Sequence, residues 1–181
     1  MTLTFILSFF VLQKAAIGGV TPALHNIGNC YADGKGVQQS EKNAVLYYQA
    51  ADEAGDHFAS FTLGTWYYNG KGGLPADHKK AVELQMKAAQ RRHPGAMFNV
   101  GMALFLGDGV EKDKANSIQW LRHAAESGVV PARLNLAKIY LEDPLARQFD
   151  EAIDILQPIV DKNDAARELL AEIQRMRSSQ P

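Results

Sequence analysis

Cysteine is almost absent. Cys30 stands alone in 181 residues, so no internal disulfide can form and a disulfide-stapled framework is excluded. An excess of one charge is also missing: 19 basic and 20 acidic residues give a net charge of −1. No domain-wide positive field exists to gather phosphates, which argues against nucleic acid as the principal partner. Long apolar runs are lacking. The most apolar stretch lies within residues 1–12 and reaches only about ten residues, whereas a membrane-spanning helix needs about twenty. Apolar–polar alternation of the strand type is lacking too, so no sheet is expected.

Site chemistry is equally scarce. Gly70-Lys71-Gly72 is not a phosphate loop: no glycine stands five residues before Gly70, no Ser or Thr follows Lys71, and no strand leads in. The histidines (His25, His57, His78, His93 and His123) make no i, i+4 pair and no Cys/His cluster, so no metal is expected. They read as solvated turn or surface residues, except His25, which falls on the inner side of a helix. Cys30 has no base paired to it and reads as a small filler. Glu41, Asp77 and Asp113 sit at helix starts, where a carboxylate caps the helix and complements its dipole. Trp66 and Trp120 read as packing residues. No cofactor and no catalysis are expected.

What the chain does contain is one phrase, repeated. Starting alanines Ala23, Ala59, Ala96 and Ala132 lie 36, 37 and 36 residues apart. Five residues on stand Gly28, Gly64, Gly101 and Ala137; eight on stand Tyr31, Tyr67, Leu104 and Tyr140. Glycine-bearing loops follow the first three copies. In the second half of each copy Ala44, Ala81, Ser117 and Ala152 line up. A period of this length with this grammar means stacked supersecondary units. Small residues at one register of both helices imply that the helices cross closely there. Glycine within a helix costs roughly 1 kcal/mol against alanine, a cost that close packing must offset.

In chain order, residues 21–56, 57–93, 94–129 and 130–163 read as four repeats. Thr21 is the expected N-cap of the first, Ser40 of its second helix, and Asp77 and Asp113 of later second helices. The fourth copy has Glu142-Asp143-Pro144-Leu145 in place of the glycine loop, and Pro158 should kink or end its second helix, Phe149–Val160. Residues 164–181 read as a capping helix and tail, with Ala165, Leu169, Ile173 and Met176 inward. Residues 1–20 are open to two readings. One is a cryptic signal, although no Lys or Arg precedes its core. The other is the second helix of a partial repeat, because Ala15 and Gly19 lie 36 residues before Ala51 and Gly55. Phe5, Ile6, Phe9, Phe10 and Leu12 then form an apolar edge able to self-associate.

Ile27-Gly28-x-x-Tyr31 with Gly34-x-Gly36-Val37, Leu63-Gly64-x-x-Tyr67 with Gly70-x-Gly72, and Val100-Gly101-x-x-Leu104 with Gly107-x-Gly109-Val110 resemble the Sel-one-like repeat family, a branch of the tetratricopeptide-like α/α repeats. Leu104 and Arg92 depart from the pattern, as does the loopless fourth copy. The resemblance implies an all-α fold, a right-handed α/α solenoid of stacked antiparallel helix pairs. It also implies adaptors and scaffolds without a shared reaction. The expected function is therefore a non-catalytic interaction module that binds a protein or peptide in its concave groove. The alternatives are a fragment or regulatory subunit of a larger assembly, or a small enzyme on a repeat framework. The cytoplasm is the expected compartment, or the secretory route if residues 1–16 act as a signal. First helices line the concave side of such stacks, so the expected groove residues are His25, Asn29, Phe61, Thr65, Tyr68, Phe98, Met102, Phe105 and Lys138, with Tyr68, Met102 and Phe105 the most exposed.

Overall fold

The computed structural model describes residues 3–142 and 148–179. Among them are ten α-helices, one 3-10 segment and no strand. The helices are α1 (Leu3–Ile17), α2 (Thr21–Asp33), α3 (Glu41–Glu53), α4 (His57–Asn69), α5 (His78–Gln90), α6 (Pro94–Leu106), α7 (Lys114–Glu126), α8 (Val130–Leu141), α9 (Phe149–Leu156) and α10 (Asp164–Ser178). Each packs on the next in the chain, as a right-handed solenoid of antiparallel pairs. The even-numbered helices α2 to α8 open each pair and the odd-numbered α3 to α9 close it.

The repeated phrase encodes a backbone device. Helices α2, α4 and α6 end on Gly34, Gly70 and Gly107, with φ of 71°, 63° and 76°. An L side chain resists that left-handed conformation and glycine does not. The following amide turns back: Lys35 N–H donates to Cys30 O, Lys71 to Trp66 O, and Asp108 to Ala103 O. These bonds satisfy carbonyls that the helix end leaves open. Next, the amides of Ser40, Asp77 and Asp113 donate to the carbonyls of Tyr31, Tyr67 and Leu104. The same three residues cap α3, α5 and α7 through their side chains. In the fourth pair Gln148 N–H donates to Tyr140 O, so the anchoring bond recurs without the glycine loop. Asp143-Pro144-Leu145 lie outside the described residues.

The closing helices end alike. Val20 N–H donates to Ala15 O, Asp56 to Ala51 O, His93 to Ala88 O and Val129 to Ala124 O. Between the partners sit Gly19, Gly55, Arg92 and Gly128, all with positive φ. Arg92, at 62°, is the one non-glycine residue of this kind among the described residues.

The small residues do mark helix crossings. A Cβ on Gly28 would lie 2.5 Å from the Tyr48 ring, on Gly64 2.9 Å from Gln85 Nε2, and on Gly101 2.7 Å from Leu121 Cγ. Tyr48, Gln85 and Leu121 occupy one register of the closing helices, 37 and 36 residues apart. Leu156 continues that register and is fully buried. The buried apolar side chains form two clusters. One gathers Tyr48, Leu63, Trp66 and Leu84; the other starts at Ala88 and runs to Ile173. Gln85 lies on α5 between them.

Several expectations need correction. Thr21 is not an N-cap: Val20 holds that position without a side-chain bond, and Thr21 is the first residue of α2. Pro158 ends the α-helix as expected, but α9 stops at Leu156 rather than Val160, and Gln157–Lys162 continues as 3-10, because Pro158 has no N–H to extend the α-helical ladder. Ala165 is exposed and Ala166 is buried, so the inward stripe of α10 is Ala166, Leu169, Ile173 and Met176. Asn163 caps that helix through Ala166 N–H and so fixes its start. Phe9 is buried edge-on against Tyr31, with ring centroids 5.6 Å apart. The exposed apolar residues of α1 include Leu3, Phe5, Leu7, Phe10 and Val11.

Candidate binding groove

Consecutive pairs are joined at their loops by charge. Lys71, in the second loop, pairs with Glu41 at the start of α3 at 3.3 Å. Asp108, in the third loop, pairs with His78 at the start of α5. Lys114, at the start of α7, pairs with Glu142 at 2.7 Å. Glu41 and His78 are 37 residues apart, as are Lys71 and Asp108. The same contact is therefore made twice with its polarity reversed. Such exposed pairs contribute little to stability, about 0–1 kcal/mol each. Here they fix which charge each junction shows to solvent.

The reversed junction adjoins a cavity of about 330 Å³. It lies between α4 and α6, with α5 beneath. Thr65, Tyr68, Asn69, Gln85, Asn99, Met102, Leu106 and Asp108 line it. Gln85 Nε2 donates to Phe61 O at 3.2 Å and to Thr65 Oγ1 at 3.3 Å. Tyr68 stacks on His78, with ring centroids 4.4 Å apart, and its hydroxyl donates to Asp108 Oδ2 at 3.0 Å. The hydrogen bond from His78 holds the Asp108 carboxyl below the usual carboxylate range. Asp108, by accepting from Tyr68, pushes the phenol pKa upward. Asp108 is thus anionic and Tyr68 a neutral donor at neutral pH.

The expected groove residues divide into lining and packing groups. Thr65, Tyr68 and Met102 line the cavity together. Tyr68 is 48% exposed, whereas Met102 and Phe105 are partly buried against the larger core cluster. Phe98 packs there too. Phe61 stacks on His93 of the next pair, 4.2 Å between centroids. Asn29 is partly buried and accepts the Tyr48 hydroxyl at 2.8 Å. Burial pushes that hydroxyl up to about 12. Lys138 is exposed on α8.

His78 and His123 are exposed as expected and His25 faces inward, whereas His57 and His93 are less solvated than expected. His25 lies 5.6 Å from the Tyr48 ring and 6.2 Å from Phe58. His57 touches Phe58, and His93 touches Phe58 and Phe61. Burial lowers the pKa of His25 against a raising influence of Asp56. Burial, then the neighbouring His57, lowers that of His93. His93 Nδ1 accepts Ala96 N–H at 3.2 Å, so a neutral imidazole caps α6. No group of three or more His, Cys, Asp or Glu side chains suited to a metal ion occurs among the described residues. No described helix is long and apolar enough to cross a membrane.

Sequence reasoning passed over Gln85, Asp108, Asn99 and Leu106. Two signals existed. Gln85 is the polar member of the register Tyr48, Gln85, Leu121, Leu156. Asp108 stands where the earlier loops carry Lys35 and Lys71.

The geometry agrees with relationships across known proteins. The sequence model of the Sel1 repeat family matches residues 21–56, 58–93 and 94–129, and the chain belongs to that family. It is 31% identical over 138 residues to the chitin synthase regulator SKT5 of Saccharomyces cerevisiae, covering 72% of this chain and 20% of that one. It is 33% identical over 100 residues to the cytochrome c oxidase assembly factor 7A of Xenopus laevis, covering 52% of this chain and 43% of the relative. The chain thus spans less than half the length of either relative. A crystal structure of a Sel1 repeat protein from Oxalobacter formigenes superimposes with a TM-score of 0.80 at 25% identity, over 93% of this chain and 69% of that one.

Proposed function

We propose that the chain is a non-catalytic interaction module whose protein partner lies along the face of α2, α4, α6 and α8. The observation that carries this reading is the cavity between α4 and α6, where Thr65, Tyr68 and Met102 meet. A tyrosine anchored at its hydroxyl and an adaptable methionine offer contact area at low entropic cost. An extended peptide or a helix fits such a groove. The relatives' names, a regulator and an assembly factor, favour action on other proteins over a reaction. The chain spans a fifth of the regulator's length, which favours a role as one part of a larger assembly as the second reading.

The groove residues assigned by this reading are His25, Asn29, Phe61, Thr65, Tyr68, Phe98, Met102, Phe105 and Lys138. Affinity purification supplies the partner, and titration calorimetry tests the site. Tyr68→Ala and Met102→Ala should each weaken binding by about tenfold or more. Glu83→Ala, exposed on α5, should leave it unchanged. Unaltered affinity in both groove variants, with folding intact, places the partner elsewhere.

The repeat boundaries follow the same reading. We assign α8–α9 as a fourth, worn repeat and α1 as the closing helix of a further one. In support, Val20 N–H reaches Ala15 O as the other closing turns do. A Cβ on Gly36 would strike the Phe5 carbonyl, as one on Gly109 would strike the His78 carbonyl. Phe5 and His78 are 31 residues before those glycines. The exposed stripe Leu3, Leu7 and Val11 borders an open hollow of about 680 Å³. It is a surface for a second copy of the chain. Val11→Lys should lower any dimer fraction seen by light scattering; an unchanged fraction removes α1 from the contact.

A further inference from the structure

Gln85 stands where Tyr48, Leu121 and Leu156 fill the core of the other pairs. It is only 5% exposed, and its Oε1 has no hydrogen-bond partner. The amide cannot simply be turned over, because Nε2 already serves Phe61 O and Thr65 Oγ1. Reversal would set Gln85 Oε1 against the Phe61 carbonyl oxygen. A buried acceptor without a donor is unfavourable, so this position is short of one N–H or O–H. Gln85 lines the cavity between α4 and α6, and because Oε1 itself is closed to solvent, a donor there meets it only when the side chain turns toward the cavity.

The rim is chemically distinct. Among the described residues, Asp108 is the one ionised side chain lining the cavity, and no Lys or Arg lines it. The equivalent loop position carries Lys35 and Lys71 in the two preceding repeats. The acidic character therefore belongs to this junction and not to the loop design. Met102, Ala103 and Leu106 supply an apolar wall between rim and floor.

We propose that this cavity is a subsite for an arginine side chain of a protein partner. The aliphatic stem lies along Met102 and Leu106, and the guanidinium donates to the Gln85 Oε1 floor and the Asp108 carboxylate. Arginine matches because its planar head carries five donors and never loses its charge. Lysine has a single compact head, less able to serve two acceptors set apart. An apolar side chain leaves Gln85 Oε1 without a donor. Tyr68 holds Asp108 in place through its hydroxyl and closes one side of the mouth. The inference deepens the groove reading and rests on it for the identity of the partner as a protein.

The test uses the full chain and a defined probe. Acetyl-arginine-amide is titrated into 15N-labelled protein, and the Gln85 side-chain NH2 signal is followed beside the amides of Tyr68 and Leu106. Saturable shifts at these positions are expected, with acetyl-citrulline-amide and acetyl-norleucine-amide at least about tenfold weaker. Asp108→Asn and Gln85→Leu should each weaken the arginine probe at least about fivefold while the remaining spectrum stays folded. Glu83→Ala should not. An equal response to the norleucine probe, the absence of saturation, or an unchanged response in both variants overturns the subsite. The groove reading fails separately. If the probe saturates but a purified partner ignores Tyr68→Ala and Met102→Ala, the arginine pocket stands and the groove does not. If the partner heeds those substitutions but ignores Asp108→Asn and Gln85→Leu, the groove stands and the arginine pocket does not.

Discussion

The second and third repeats are built on one backbone and finished differently. Helices α4–α5 and α6–α7 share the glycine crossing, the left-handed loop glycine and the aspartate cap. At the crossing, however, the second repeat places Gln85 and the third places Leu121. Leu121 is fully buried and completes the core, whereas Gln85 interrupts it and borders a cavity. One position of the repeat thus serves packing in one copy and polar lining in the next. Solenoids permit this because each unit leans only on its neighbours, so a local loss is not spread through the fold.

The sharpest way to break the comparison is to exchange the chemistry. Leu121→Gln buries an amide with no cavity beside it and removes a fully buried leucine. It should cost about 3 kcal/mol or more in urea unfolding. A loss well below that means that the third repeat can open as the second does.

The crossings themselves come next. Gly101→Leu meets Leu121, and Gly64→Leu meets Gln85 and the Ala81 carbonyl; each should cost about 1–3 kcal/mol by overpacking. Gly70→Ala meets the left-handed backbone and a 3.3 Å approach of its Cβ to Ala76 N, together about 1–2 kcal/mol. Equal melting temperatures for Gly64→Leu and the parent protein refute the close crossing.

Acid should weaken the stack on both sides of the second repeat, where His25 packs on Phe58 and His93 on Phe61. His25 and His93 have pKa values lowered, chiefly by burial. As pH falls, the unfolded chain takes up their protons first. Stability is therefore full above about 6.5 and declines as pH drops through that value toward the lower folded pKa values. Protonation of His93 also removes the acceptor for Ala96 N–H. Melting temperature should fall from about pH 7.5 to about pH 5.5, and His93→Asn, which keeps a capping oxygen, should reduce the fall. A fall of the same size in that variant removes His93 from the effect.

The smallest expected effect is at the end of α5. Arg92 adopts φ of 62° where Gly55 and Gly128 stand in the neighbouring repeats. Arg92→Gly should raise stability by about 1 kcal/mol, because the steric cost of the left-handed region disappears. A loss on substitution means that the Arg92 side chain makes a compensating contact.

Most of the fold was legible because its determinants are local and periodic. Ala23, Gly28 and Tyr31 recur at fixed spacing, and Ser40, Asp77 and Asp113 each precede their helix. The misreadings fell where neighbours decide. Val20 rather than Thr21 is the N-cap of α2, and Ala166 rather than Ala165 faces the core, shifts of one residue that a cap or a packing partner sets. The site was half legible. Thr65, Tyr68 and Met102 followed from the register of the first helices. Asp108 and His78 lie thirty residues apart and meet only through stacking, and Gln85 stands at a register that Tyr48 and Leu121 mark as packing. The inward Leu169, Ile173 and Met176 of α10 were legible from their spacing, and its charged Arg167, Glu168, Glu172, Arg175 and Arg177 are all exposed.

The central claim is that Gln85 is a lining residue set into a core position. Urea unfolding of Gln85→Leu tests it most directly. The leucine fills the register as Leu121 and Leu156 do, and Phe61 O keeps the Thr65 hydroxyl as a donor. The account predicts a midpoint above that of the parent protein, by about 1 kcal/mol in unfolding free energy. A midpoint below the parent's would show that the Gln85 amide holds the repeat together, and would contradict the claim.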